Sequence, residues 1–331
     1  MIKIGVDANG GDLGVEATVP GAMRAIKMFS DIEIVLYGDE DKIKPLLTDS
    51  TRISIVDTKV TMDMGEHDPV NAVRKHRDSS LCMAMYACKN KEVDAVVTSG
   101  PTQCVIMAAH LIIRRLPQME RVALCPIIPN LDGNPRLILD VGANVELRPE
   151  HYGQFAVFAT VAAREVLGVK NPTVGLLNIG SEEAKGREID RLALQYLKTV
   201  DSIDFKGNVE PDQLIDLPTT IAVCDGFAGN MAIKALEGTA KGMGKMLKQE
   251  IGHNVFALFL KKPLGRFKKR MDTKEVGGAM IFGVGSPVVK AHGNSDGYAF
   301  SSAIRQVYNM VKADLINKVV AALPKKEDKN E

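Results

Sequence analysis

Residues 2–12, IKIGVDANGGD, open as an apolar run of strand length and break abruptly at glycines before a stretch of helical period. The same unit recurs at 94–103 (DAVVTSGPTQ), 136–144 (RLILDVGAN), 173–186 (TVGLLNIGSEEAKG) and 220–230 (TIAVCDGFAGN), each followed by a helical segment. Runs of Val, Ile and Leu without polar alternation belong to strands covered on both faces, and their alternation with helices predicts βαβ units. The fold class expected is α/β, a mostly parallel sheet with helices on both faces. In such a sheet the turns after the strands' carboxyl ends gather along one edge, where ligands bind in a crevice. All five glycine turns are expected on that edge. Glycine there can serve the backbone alone, but these turns also carry Asp, Asn, Ser, Thr and Lys, groups that hold a phosphate without a metal.

The 331 residues are 45% hydrophobic and 25% charged, a balance that argues against disorder, and the length fits one large α/β domain or two tightly joined lobes rather than a string of modules; a single α/β domain over 1–331 is expected. Lys and Arg number 42 against 41 Asp and Glu, so no global field favours nucleic acid, and an anionic partner must be met by a local patch. Five cysteines without a CxxC pair suggest buried thiols in a reducing cytosol. The N-terminus lacks a leader pattern and no apolar run approaches about 18 residues. A cytoplasmic protein that touches the inner face of a membrane only from its surface is expected.

Residues 231–252 read as a long helix with small residues at Gly238, Gly242 and Gly244, suited to close packing or to a helix or subunit contact. A projecting segment follows at about 248–272. Within it, Phe256, Leu258 and Phe259 stand beside Lys261, Lys262, Arg266, Lys268, Lys269 and Arg270, uninterrupted by an acid, while Pro263 and Gly265 break a continuous helix. That pattern suits an anionic membrane surface or an acidic protein partner, and also a well-charged helix end in solvent. The tail, ALPKKEDKNE, is expected to fray.

Taken together, the turns resemble the phosphate acyltransferase family of bacterial phospholipid synthesis over nearly the whole chain. DANGGD (7–12) is similar to the family's DAMGGD, and LDVGAN (139–144), LLNIGSEEAKG (176–186), DGFAGN (225–230), KALEG (234–238) and KAHGNSD (290–296) follow in family order. The resemblance implies a fold similar to the phosphotransacetylases and the isocitrate dehydrogenase group, a homodimer with its active site in a cleft near the subunit interface, an acyl carrier protein as donor, and neither metal nor cofactor. It also implies loose membrane attachment through the apolar and basic segment. Two departures stand out: Asn9 replaces the family's Met, and Ser99-Gly100-Pro101-Thr102-Gln103-Cys104 replaces SGNTGA. Pro101 removes a backbone donor, a loss without cost at the first turn of a helix.

Transfer of a long-chain acyl group from the carrier thioester to inorganic phosphate needs bound phosphate, oxyanion donors and a proton for the departing sulfur. Phosphate is itself the nucleophile, so no GxSxG elbow is required, and one ternary complex suffices. Lys185 and Arg187, with backbone N–H groups at Gly180 and Ser181, are candidates for holding the phosphate. Asn230, Gly229, Lys234 and Asn144 could supply oxyanion or phosphate donors. His292 is the candidate acid for the sulfur, though a lone histidine is more often structural. Asp7, Gly10, Gly11 and Asp12 of the opening turn, with Ser99, Gly100 and Thr102, are expected to complete the substrate site, Asp12 being equally suited to capping a helix. The acyl phosphate would feed a downstream glycerol-3-phosphate acyltransferase. The competing readings are a phosphotransacetylase acting on short acyl-coenzyme A, a dehydrogenase of related fold, which lacks its dinucleotide fingerprint here, and a non-catalytic binder of acyl carrier protein.

Overall fold

A computed structural model describes residues 1–251, 265 and 277–324. Of the expected projecting segment, only the last turn of a helix ending at Ile251 and the helical Gly265 fall among them. Phe256, Leu258, Phe259, Lys261, Lys262, Arg266, Lys268, Lys269 and Arg270 lie outside the described residues, as does the tail from 325.

The described residues form strands β1 (Ile2–Asp7), β2 (Ile32–Gly38), β3 (Ile53–Asp57), β4 (Ala95–Thr98), β5 (Ala123–Ile128), β6 (Arg136–Leu139), β7 (Thr173–Leu177), β8 (Asp204–Val209), β9 (Ile221–Val223), β10 (Gly278–Phe282) and β11 (Val288–Ala291). Helices are α1 (Val15–Met28), α2 (Glu40–Ile43), α3 (Pro69–Lys75), α4 (Ser80–Lys89), α5 (Thr102–Ala108), α6 (Pro149–Glu165), α7 (Glu188–Leu197), α8 (Gly226–Ile251), α9 (Gly297–Lys312) and α10 (Leu315–Ala322). All strands join one sheet in the order β3-β2-β1-β4-β11-β10-β5-β6-β9-β7-β8.

Pairing is parallel throughout β3-β2-β1-β4-β11 and again throughout β6-β9-β7-β8. The three junctions between these halves, β11 with β10, β10 with β5 and β5 with β6, are antiparallel. Three reversals leave the two halves running in opposite directions. The expectation that all five glycine turns share one edge is therefore corrected: those after β1 and β4 belong to the carboxyl ends of one half, and those after β6, β7 and β9 to the other.

Alternation along the strands feeds two cores, one on each face. Ile4, Val6, Val97 and Val289 meet α1, α6, α7, α9 and α10, whereas Val96 and Val288 meet α3, α4 and α5, with the start of α8 packed against the same cluster. Several helix starts are set by side-chain caps. Ser79 Oγ accepts from Cys82 N (3.3 Å) before α4, Asp225 Oδ1 from Ala228 N (2.7 Å) before α8, and Asp296 Oδ1 from Ala299 N (3.0 Å) before α9. The cap at Asp225 starts α8 at Gly226, five residues before the expected 231, so most of DGFAGN is helix rather than turn. No helix among the described residues is long and apolar enough to cross a membrane.

Candidate active site

The carboxyl ends of β1, β4 and β11 build a first cluster. Asp7, 1% exposed, accepts from Ser80 Oγ (2.5 Å) on Oδ1 and from Thr98 Oγ1 (2.7 Å) on Oδ2. Burial pushes its carboxyl above the usual range, against the pull of those two hydrogen bonds. Gly10 roofs this carboxylate so closely that a Cβ there would stand 2.4 Å from Asp7 Oδ2. Gly11 has φ +89°, and its missing Cβ would meet Ser99 Oγ at 2.6 Å. Ser99 Oγ donates to Gly10 O (2.8 Å), Gly100 N to Thr98 Oγ1 (2.9 Å) and Asp12 N to Gly293 O (2.8 Å). The predicted Asp7, Gly10, Gly11, Asp12, Ser99 and Gly100 are thus brought together, and the KAHGNSD turn closes on them.

Asp12 does not cap α1: the cap position is Gly14, with no side-chain bond. His292 is exposed in the turn after β11, where Ser295 N donates to its carbonyl (3.0 Å). Pro101 caps α5 with φ −62° and ψ 131°, where a helix needs no N–H from it, so the SGPTQC departure costs the backbone nothing. Thr102 follows as the first residue of α5, half-buried. Asn9 braces the backbone. Its Oδ1 accepts from Asp39 N (3.0 Å) and its Nδ2 donates to Thr58 O (3.1 Å), tying the first turn to the ends of β2 and β3.

A second cluster forms where β6 and β9 end. Asp140, fully buried, accepts from Leu124 N (3.0 Å), Gly142 N (3.2 Å) and Ala143 N (3.0 Å) on Oδ1, and from Asn144 N (2.7 Å) and Asn144 Nδ2 (2.8 Å) on Oδ2. Burial raises its carboxyl while these donors oppose the rise. Asn144 Nδ2 also donates to Val122 O (2.6 Å), so both amide hydrogens are committed to the turn. The expectation that Asn144 offers a donor to substrate is corrected accordingly: it locks the loop.

Gly226 N donates to Asn144 O (2.7 Å), which seats α8 on that loop. A Cβ on Gly229 would lie 2.0 Å from Asp140 O. Asn230 is left half-buried, with its Nδ2 3.5 Å from the Cβ position of Gly142, and Lys234 is exposed one turn later.

Arg187 is spoken for. Its Nε and one terminal nitrogen grip Asp190 Oδ2 (3.0 Å) and Oδ1 (2.7 Å), and the same terminal nitrogen reaches Asp225 Oδ2. The two carboxylates, Asp190 first, push its already high pKa further up. A guanidinium shared by two buried acids fastens the β7–α7 loop to the start of α8; it is not the free phosphate clamp expected. Lys185 lies exposed on that loop with its stem over Gly180, and among the described residues no carboxylate stands within 4 Å of its ammonium. Ser181 beside it is exposed, and the backbone is held by Asn178, whose Nδ2 donates to Lys185 O (3.2 Å).

The two clusters meet through Gln103. Its Nε2 donates to Gly142 O (3.4 Å), joining the start of α5 to the loop that faces Asn230. His292 belongs to the first half, whereas Lys185 and Asn230 follow strands of the reversed half. Sequence reasoning missed Gln103, Asp140, Asp225 and Lys290, though the acids stood in the quoted motifs at cap and turn positions. All five cysteines are buried, and burial pushes the Cys104 thiol up to about 11 and those of Cys125 and Cys224 well above the usual range. None is suited to be a thiolate nucleophile.

Over residues 2–318 the chain matches the model of a family described as fatty acid synthesis protein. The phosphate acyltransferase of Acholeplasma laidlawii (strain PG-8A) is 45% identical over 325 residues, covering 96% of this chain and 97% of the relative. The chain belongs to the phosphate acyltransferase family. The phosphate acyltransferase of Bacillus cereus (strain G9842) is 41% identical over 328 residues, covering 98% of this chain and 99% of that one. Among solved structures, a phosphotransacetylase from Streptococcus pyogenes superposes with a TM-score of 0.61 at 16% identity, covering 96% of this chain and 94% of its own. The EutD phosphotransacetylase from Staphylococcus aureus gives 0.60 at 13%, covering 93% and 94%. At such identities the likeness is one of fold, and it bears out the expected phosphotransacetylase-like α/β architecture.

Proposed function

We propose that this chain transfers a long-chain acyl group from an acyl carrier protein thioester to inorganic phosphate, releasing an acyl phosphate for phospholipid synthesis. The observation that carries the reading is full-length similarity, at 41–45% identity, to phosphate acyltransferases. The geometry supports direct attack. Ser99 Oγ is committed to Gly10 O and the thiols are buried and held protonated, so neither Ser99 nor a cysteine is suited to form a covalent acyl-enzyme. Phosphate, whose oxygens need no activating base, attacks the thioester carbon within one complex.

Lys185 is the cation suited to the phosphate, since Arg187 is neutralised by Asp190 and Asp225. Asn230, half-buried beside Gly142, supplies a donor for the oxyanion, acting where charge develops. Gln103 supports this by joining the start of α5 to the loop that faces Asn230, so that the two clusters are in contact. The chain works as a homodimer in the cytoplasm, with the segment at 248–272 resting on the inner membrane face or on the carrier, and the acyl phosphate passes to a glycerol-3-phosphate acyltransferase.

The test is incubation with palmitoyl acyl carrier protein with and without phosphate, following free carrier thiol. Thiol released only with phosphate supports the reading; release confined to acetyl-coenzyme A transfers it to the short-acyl alternative. For the segment, polar replacement of Phe256, Leu258 and Phe259 is expected to abolish sedimentation with anionic liposomes, and unchanged sedimentation would exclude a membrane contact there.

A further inference from the structure

A buried lysine lies unused beside the first cluster. Lys290, 8% exposed, is the third residue of β11 and pairs in register with Thr98 of β4. Thr98 in turn donates to Asp7 at the end of β1 (2.7 Å). Asp7, Thr98 and Lys290 therefore form a row across the carboxyl ends of three adjacent parallel strands. Val96 and Val288, two residues before Thr98 and Lys290, place that row on the face of α4 and α5. The glycine roof of residues 10–12 covers Asp7, and Asp12 is hydrogen-bonded to Gly293, three residues beyond Lys290.

The ammonium has three donors. One goes to Ala291 O (2.6 Å), and among the described residues no carboxylate lies within 4 Å. A buried cation with so few partners is costly to the fold. By contrast His292, the other basic group of this turn, is exposed.

Resting on the proposed transfer to phosphate, we propose that Lys290 is the acid that protonates the departing sulfur of the thioester. A phosphate oxygen bonds to the acyl carbon and the C–S bond breaks with its electron pair on sulfur. The Lys290 ammonium gives that sulfur its proton, and the amine is recharged by the proton the new acyl phosphate releases. Burial pushes the ammonium down to about 8, against the attraction of Asp12 and then Asp7. That lies between neutrality and the value of a free cysteine thiol, about 8.5, so the ammonium can give a proton to a more basic alkyl thiolate. The charged groups that act on it are Asp12 from the turn and Asp7 from β1, and its register partners are Thr98 of β4 and Ala279 of β10.

The experiment compares wild type, Lys290→Met and Lys290→Arg in the full chain, with phosphate, on palmitoyl acyl carrier protein and on a palmitoyl nitrothiophenyl ester. The nitrothiophenolate leaves without a proton. Arg keeps the charge but does not release a proton at these pH values, so it serves should Met unfold the chain; thermal melts check both. Each variant is expected to lose roughly 10²-fold or more in kcat/KM on the carrier thioester and less than about 5-fold on the aryl ester. Wild type is expected to lose kcat/KM on the carrier above about pH 8, and that alkaline fall should vanish in Lys290→Arg. Equal losses on both esters, or a retained alkaline fall, would assign Lys290 to structure and overturn the proposal. If wild type shows no phosphate-dependent turnover of the carrier thioester, the underlying reaction is refuted and the proposal with it.

Discussion

Gly229→Ala tests how the second cluster is assembled. In an open helix this change would stabilise by about 1 kcal/mol, since alanine is the better helix former. Here the added Cβ would sit 2.0 Å from Asp140 O and 2.7 Å from Cys224 Sγ. A carbon and a carbonyl oxygen settle no closer than about 3.3 Å, so α8 must retreat by over an ångström from a backbone atom that cannot rotate away. Overpacking of that kind costs about 1–3 kcal/mol or somewhat more. Net of the propensity gain, a loss of about 1–2 kcal/mol is expected, a fall of roughly 1.5–3 °C in melting temperature for 331 residues at about 2.1 cal/mol/K each. Asn230, the next residue, moves with the helix, so phosphate-dependent turnover should fall with it. The comparison is Gly238→Ala on the same helix, where no described atom lies within 4 Å of the new methyl. It should leave the melt unchanged or raise it. A Gly229→Ala protein as stable and active as wild type would refute the close seating of α8 on the Asp140 turn.

Arg187→Met leaves Asp190 and Asp225 facing one another without their cation. Because the guanidinium is 52% exposed, the loss is expected at about 1–3 kcal/mol rather than the larger figure for a fully buried pair, read as a lower urea midpoint; an unchanged midpoint would show that the three do not meet. The Lys290 ammonium is held near 8 in the folded chain against 10.5 when unfolded, so between those values the unfolded chain carries more protons and stability must rise with pH. Wild type is expected to gain about 3 kcal/mol over Lys290→Met between about pH 7.5 and 10.5, and parallel urea midpoints for the two proteins would deny that the lysine is buried.

The strand–glycine–helix units were legible because Val, Ile and Leu runs in parallel strands carry no polar alternation. The reversal between the halves was not. The antiparallel pairings of β10 with β11 and with β5 cancel, leaving β5 parallel to β4, so the reversal is made by the short β5–β6 hairpin, whose turn around Asp132 and Gly133 separates two runs that sequence reasoning did not pair. Asn144 was read as a free donor because its motif is polar, whereas Val122 O and Asp140 compete for its hydrogens, and Val122 lies 22 residues away. Arg187 did carry a local sign, an acid three residues on at the helix start, and Lys290 carried another: a lone charge in an otherwise apolar strand, PVVKA.

The most direct measurement is phosphate-dependent release of carrier thiol from palmitoyl acyl carrier protein, with the acyl product trapped by hydroxylamine. The account predicts that omission of phosphate stops thiol release, and that thiol and hydroxamate appear in equal amounts when phosphate is present. Thiol released at the same rate without phosphate, or phosphate-dependent release that yields free fatty acid and no hydroxamate from the outset, would contradict it.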